Sequence, residues 1–301
     1  MPPPDDSLPH DDPRIGTVLS ERYRLDTLLG EGAMGRVYSA EHVMMRKRVA
    51  VKVLHSELTR VPEVVGRFER EAMAAANIDH PNVAAATDFG KLEDGSIYLV
   101  LEFVEGRNLR DELKGGPVSV GRALHITRQM AGALAAAHAL NIVHRDLKPE
   151  NVMLVKKAHD PDFVKVLDFG IAKVPLDAAA TPGSQAGSAI TRVGMVFGTP
   201  EYMAPEQALG KEVDNRADIY ALGVILFELI SGLRPFDDKD ELGVLGQQLS
   251  KPVPRLADRV PGTVAPEAVE SLLQRLLRKE ASERPNQALE VARALDGLLA
   301  Q

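Results

Sequence analysis

The hydrophobic period shifts along this chain from mainly two to mainly about 3.6, and that shift leaves few architectures open. From Tyr23 to Val53 the residues favour strands. The alternation in Gly35-Arg36-Val37-Tyr38-Ser39-Ala40 and in Val49-Ala50-Val51-Lys52-Val53 is that of a half-buried sheet. Pro62 to Asn77 switches period: Val64, Phe68, Ala72 and Ala75 share one helical face, and Pro62 suits a first turn. Ile97 to Phe103 is a short apolar strand. After Gly106 the helical period takes over. Val120, Leu124, Thr127, Met130, Ala131 and Leu134 mark an amphipathic helix ending near Leu140, and Asp218 to Ser231 is apolar nearly all round, as in a buried central helix. Ala265 to Leu277 and Gln287 to Leu299 predict further amphipathic helices. The expected chain is α+β, with a small sheet carrying one helix followed by a larger helical part.

Composition narrows the function. Lys and Arg total 36 against 43 Asp and Glu, a net charge of -7, which argues against nucleic acid as the main partner. The absence of cysteine excludes disulfides, thiolate metal sites and a cysteine nucleophile together. The first residues, Met1 to Pro13, are rich in Pro and Asp with no apolar core, so they do not read as a signal peptide, and residues 1 to about 14 are expected to form a flexible tail. The longest apolar run, Ile219 to Ile230, is interrupted by Glu228 and falls short of the ~20 residues a membrane span needs. The chain is therefore expected to carry no membrane segment and to be cytoplasmic. Val174 to Ile190 is rich in Ala, Gly, Ser and Pro and is expected to be a long loop.

Gly30-Glu31-Gly32-Ala33-Met34-Gly35-Arg36-Val37 fits G-x-G-x-x-G-x-V. Such glycines let a backbone turn tightly and approach a phosphate, although a bare hairpin turn uses them as well. Here strand-like residues follow, whereas a dinucleotide fingerprint would open a helix. Lys52 shares a strand face with Ala50; alone it reads as a strand-end charge, and beneath a phosphate-binding loop it becomes the natural cation. Glu71, on the next helix, could pair with it or stand as a solvated charge in Arg67-Phe68-Glu69-Arg70-Glu71.

His144-Arg145-Asp146-Leu147-Lys148-Pro149-Glu150-Asn151 matches H-R-D-L-x-x-x-N at every fixed position, and Asp168-Phe169-Gly170 and Ala204-Pro205-Glu206 follow in order. With these residues the chain resembles the eukaryotic-type protein kinases, in the manner of their bacterial members, over about residues 20–298. The resemblance implies the bilobal protein kinase fold, with an N-lobe of about residues 20–104, a C-lobe of about 105–301, an activation segment at 168–206, and ATP and Mg²⁺ (Mn²⁺ as an alternative) between the lobes. It implies that Asp146 orients the attacking hydroxyl and accepts its proton, that Lys148 places a cation near the transferred phosphoryl group, and that Lys52, held by Glu71, grips the phosphates. Asn151 and Asp168 would hold the metal through hard oxygen donors. Gly30, Glu31, Gly32, Gly35, Val37 and Ala50 would surround the nucleotide, and Glu102 and Val104 would bond adenine beside Leu101. Asp218 would brace the catalytic loop, and Glu206 and Arg284 would form a buried pair.

The Asp146-Leu147-Lys148-Pro149-Glu150-Asn151 form and Gly198-Thr199-Pro200-Glu201-Tyr202 resemble serine/threonine kinases rather than tyrosine kinases. The implied reaction is transfer of the ATP γ-phosphate to Ser or Thr of protein substrates, including autophosphorylation in trans by a homodimer. Arg145 beside Asp146 suggests control by loop phosphorylation, with Thr191 the first acceptor and Ser188 and Thr181 behind it. Two rivals remain open at this point: a scaffold that uses the fold for binding, and a phosphotransferase for a small metabolite. The substrates, the activating signal and the oligomeric state are not written in the sequence.

Overall fold

The computed structural model describes residues 12–32, 35–55, 59, 62–92, 94–169 and 199–301. These fall into two compact units. One takes the chain up to Asp79 together with Ala84–Glu105; the other takes His80–Val83 and the chain from Gly106 onward.

The first unit is a six-stranded antiparallel sheet. Its strands are β1 (Val18–Leu19), β2 (Tyr23–Gly32), β3 (Gly35–His42), β4 (Lys47–Leu54), β5 (Ala86–Lys91) and β6 (Ile97–Glu102), in the order β1-β2-β3-β4-β6-β5. Register divides its two faces. Tyr38 opposes Val51, and Val51 opposes Val100, on the face that also buries Leu25 and Tyr98. Val37 opposes Lys52, and Lys52 opposes Leu99, on the other. Helix α1 (Pro62–Ala76) buries Phe68, Ala72 and Ala75, the face its spacing predicts, with Phe68 6.0 Å from the Phe89 ring.

The chain ahead of β1 is anchored sooner than a tail through residue 14 would be. The carboxylate of Asp12 accepts from the Tyr38 hydroxyl at 2.7 Å and from Arg36 Nη1 at 3.1 Å, and the Arg14 side chain donates to Ser96 Oγ at 3.2 Å. Burial pushes the Asp12 carboxyl up, but the Tyr38 hydroxyl, the Arg14 amide and the Arg36 guanidinium outweigh it and hold it below the usual carboxylate range. Composition pointed to a tail because it registers Pro and Asp content and is blind to a tertiary partner 26 residues away. Residues 1–11 lie outside the described residues.

The second unit pairs β7 (Arg107–Asn108), β8 (Val152–Lys157) and β9 (Asp160–Val166) in a small antiparallel sheet. Around it run α2 (Leu109–Leu113), α3 (Val120–His138), α4 (Pro205–Ala208), α5 (Arg216–Ser231), α6 (Glu241–Ser250), α7 (Leu256–Arg259), α8 (Glu267–Leu276) and α9 (Ala288–Leu299). Ser119 caps α3 by accepting from the Arg122 amide. Every residue of α5 from Ala217 to Ser231 is buried, as its nearly all-round apolar pattern predicts. The helix can lie this close to its neighbour because Gly223 has no side chain: a Cβ there would sit 2.8 Å from Leu276 Cβ. Gly232, at φ +74°, ends the helix in the left-handed conformation that glycine adopts without strain. Strands β5, β8 and β9 and helix α6 carry too little period of their own to be read from sequence; they exist because neighbours complete them. No helix among the described residues is long and apolar enough to cross a membrane.

Candidate functional site

In the sheet unit, Gly30 and Gly32 end β2 and Gly35 opens β3, with Gly32 facing Gly35 at the root of the hairpin. The three glycines have different reasons. A Cβ on Gly35 would lie 2.1 Å from the Val53 carbonyl oxygen, so the sheet itself requires glycine there. A Cβ on Gly30 or Gly32 would meet nothing within 4 Å, and neither has a left-handed φ. The protein's own packing leaves those two positions open, and an open glycine backbone there fits the close approach of a ligand. Gly35→Ala is therefore expected to destabilise the fold by about 1–3 kcal/mol, the usual cost of overpacking. Gly32→Ala should leave the melting temperature in place and raise KM for ATP. Thermal melts beside ATP titrations of both variants check this, and equal melting losses would remove the distinction.

Lys52 is 7% exposed, with Val37 and Leu99 as its cross-strand neighbours and Ala50 two residues back on the same face. Glu71 lies half-buried on α1. Glu31 is the cross-strand partner of Arg36. Glu102 closes β6, its amide donating to the Ala85 carbonyl at 2.8 Å, and Val104 follows in a stretch outside any strand.

The helical unit holds the loop from His144 to Asn151. Asp146 Oδ2 lies 2.9 Å from Lys148 Nζ, and the same ammonium donates to Thr199 Oγ1 at 3.1 Å. A carboxylate, a cation and a hydroxyl-bearing residue from a distant segment thus meet in one place. The loop keeps this shape because it is pinned from behind. The Asp218 carboxylate, at the start of α5 and fully buried, accepts from the amides of His144 and Arg145, each at 2.8 Å, and from His138 Nε2 at 2.8 Å. Three hydrogen bonds offset the cost of burying that charge. Arg145 takes φ +65° between the pinned amide and Asp146, a left-handed conformation that a bulky residue adopts only when its surroundings hold it there. Gln207 closes the loop from the other side, donating to the Arg145 carbonyl at 3.0 Å while its Oε1 accepts from the Ala204 amide.

Asn151 Nδ2 donates to the Asp146 carbonyl at 2.9 Å, which leaves Oδ1 as its acceptor end. The Leu167 amide donates to the Asn151 carbonyl at 2.8 Å and so brings the segment carrying Asp168 alongside. An amide oxygen and a carboxylate are hard donors and fit Mg²⁺, an ion that keeps waters and phosphate oxygens for the rest of its shell. His144 packs edge-on against Phe169, with ring centroids 4.9 Å apart, and fixes the chain just after Asp168.

Sequence reasoning missed His138 and Gln207. Neither has a local signal: His138 sits on a helix face like any other, and Gln207 follows Glu206 without a pattern. It also missed Arg110, whose guanidinium donates to Glu150 at 2.7 Å, to Glu228 at 2.9 Å and to the Tyr202 hydroxyl. Burial drives the Tyr202 phenol well above its ordinary range, reinforced by the Glu228 carboxylate. Gly170 and the loop candidates Thr181, Ser188 and Thr191 lie outside the described residues.

A family model described as the protein kinase domain matches residues 23–294. The chain belongs to the protein kinase domain family. Its relatives include the serine/threonine-protein kinase pkn3 of Myxococcus xanthus, 42% identical over 93% of this chain and 50% of that protein. Another is the serine/threonine-protein kinase PknA of Mycobacterium tuberculosis, 41% identical over 84% of this chain and 56% of that protein. The chain thus spans about half the length of these bacterial kinases. Among solved structures, the kinase domain of PknI from Mycobacterium tuberculosis superposes with a TM-score of 0.69 at 28% identity, covering 94% of this chain and 97% of that one. The protein kinase fold expected from the motifs, an antiparallel-sheet part and a helical part, is the fold found.

Proposed function

We propose that this kinase domain transfers the γ-phosphate of ATP to serine and threonine hydroxyls of proteins, itself included. The observation that carries this reading is the grouping of Asp146 and Lys148, on a loop braced by Asp218, with Thr199 from a distant segment. In this reaction Asp146 accepts the hydrogen bond of the incoming hydroxyl and takes its proton as the oxygen bonds to the γ-phosphorus. The bond from that phosphorus to the β–γ bridging oxygen breaks, and ADP leaves. Lys148 meets the negative charge of the phosphoryl group in flight, and Thr199 holds the ammonium in place. Lys52, Glu71 and the glycine hairpin serve the phosphates, Glu102 and Val104 the adenine, and Asn151 and Asp168 would hold Mg²⁺ in preference to Mn²⁺. Bound there, the ion neutralises phosphate charge.

The names of the relatives support Ser/Thr specificity, and the lysine at position 148 agrees with it. Autophosphorylation in trans, through a transient homodimer in the cytoplasm, belongs to the same reading. Incubation with labelled γ-phosphate on Mg-ATP, alone and with a generic basic protein, tests it, followed by phosphoamino-acid analysis. Label on serine or threonine supports it. ATP binding without any transfer, or transfer to a small metabolite alone, would sink it.

A further inference from the structure

The glycine hairpin has a second attachment that lies outside the matched family region, which begins at Tyr23. The segment ahead of β1 is bonded into the sheet: the Gly16 amide donates to the Leu25 carbonyl at 2.7 Å, and the Leu25 amide donates to the Thr17 carbonyl at 2.9 Å. At the head of this strap stands Asp12, its side chain 1% exposed. A carboxylate buried that deeply needs partners; the Arg14 amide supplies one at 2.9 Å, and both side-chain partners come from β3. Tyr38 donates its hydroxyl and Arg36 its guanidinium, two residues apart on one strand face.

Arg36 carries the connection onward. Its Nε lies 3.1 Å from Glu31 Oε1 across the hairpin, one residue pair before Gly32 and Gly35, where the two strands part. One guanidinium therefore ties the strap, the outgoing strand and the incoming strand together at the root of the glycine turn. The glycines themselves cannot do this, since they have no side chains to fix the backbone. Register places Arg36 and Tyr38 on the face opposite Val37 and Lys52, so Asp12 acts from behind the proposed phosphate side and touches no phosphate.

We propose that Asp12 is a positioning residue for ATP: through Arg36 it fixes the root of the glycine hairpin, so that the hairpin is ordered before the nucleotide arrives. The proposal rests on the reading that this hairpin binds ATP. Ordering in advance lowers the entropy lost on binding, so the clamp acts on nucleotide affinity and leaves the catalytic loop, in the other unit, unaltered.

The test compares Asp12→Asn, Arg36→Gln and the double variant in the full chain. It reads ADP affinity by calorimetry in the presence of Mg²⁺, KM for ATP, kcat, KM for the protein substrate, and the melting temperature. Asp12→Asn keeps an acceptor for Tyr38 and loses the charge for Arg36. Each single variant is expected to raise KM for ATP and weaken ADP binding by about 3–10-fold, with kcat and the protein-substrate KM within about twofold, and the double variant should add nothing further. A merely structural clamp gives another pattern: a lower melting temperature with nucleotide affinity intact, which overturns the proposal. Effects of the two singles that multiply in the double variant also overturn it, because they would act separately. Should Asp12→Asn fold poorly, Arg36→Gln reaches the same bridge from its half-exposed end. An unaltered protein that binds no ADP would fail the nucleotide reading itself, whereas normal binding in all variants fails only the clamp.

Discussion

Asp146→Asn is expected to lower kcat for phosphoryl transfer by roughly 10²–10⁴-fold, the range that a positioned general base contributes. The asparagine has nearly the same shape and still accepts from Lys148 Nζ, which lies 2.9 Å from the native carboxylate. What it loses is the capacity to take a proton and the negative charge that orients the hydroxyl. The loop should keep its geometry, because its shape comes from Asp218 bonding two backbone amides rather than from the Asp146 side chain. KM for ATP and the melting temperature should therefore stay close to the native values, and this separates a chemical loss from a folding loss. Retention of more than about a tenth of native kcat would remove Asp146 from the base role, since general bases seldom contribute so little. A parallel fall in melting temperature would assign the residue to structure instead.

The largest expected stability loss lies elsewhere, at Arg284→Met. The Arg284 side chain is fully buried and pairs in bidentate fashion with Glu206, at 2.7 and 2.8 Å. Its remaining protons go to the carbonyls of Arg278, Arg216 and Lys279 at 2.7–3.0 Å, and its plane lies 4.8 Å over the Tyr220 ring. Removing the guanidinium strands a carboxylate and three carbonyl oxygens in one step. The loss is expected to be about 3–5 kcal/mol, the cost of breaking a buried pair from one side. For a chain of this size that corresponds to roughly 5–8 °C in melting temperature. Replacing both partners, Glu206→Leu with Arg284→Met, should cost less than the sum of the two singles, because no charge is then left alone. A single-variant loss under about 1 kcal/mol would show that water reaches Glu206 and that the pair is dispensable. Activity should fall with stability in this variant, since Glu206 precedes Gln207, which holds the Arg145 carbonyl.

Much of the candidate site was legible because the residues proposed for it are compact in sequence. Asp146, Lys148 and Asn151 stand within six residues, and a short segment with fixed residue types declares itself without any tertiary knowledge. Lys52 was legible for another reason: strand alternation assigns a face, and the pairing of Lys52 with Val37 and Leu99 shows the face it was given. The major helices were legible where one face is apolar over three turns or more, as in α3 and α9, and their observed ends differ from the expected ones by a residue or two. Helix α6 was not, since it begins from an Asp240 cap and buries only a few side chains among polar ones.

The sequence by itself determined the residue types, the faces and the order of the motifs, because φ/ψ preferences and hydrophobic period act between neighbours a few residues apart. Tertiary structure decided which polar groups meet. Asp218 finds amides 74 and 73 residues away, Arg284 finds Glu206 at a separation of 78, and Asp12 leaves its expected tail for Tyr38. No local preference selects such partners. They are selected by the cost of burying a charge without one, which is levied only after the chain has packed and water has gone.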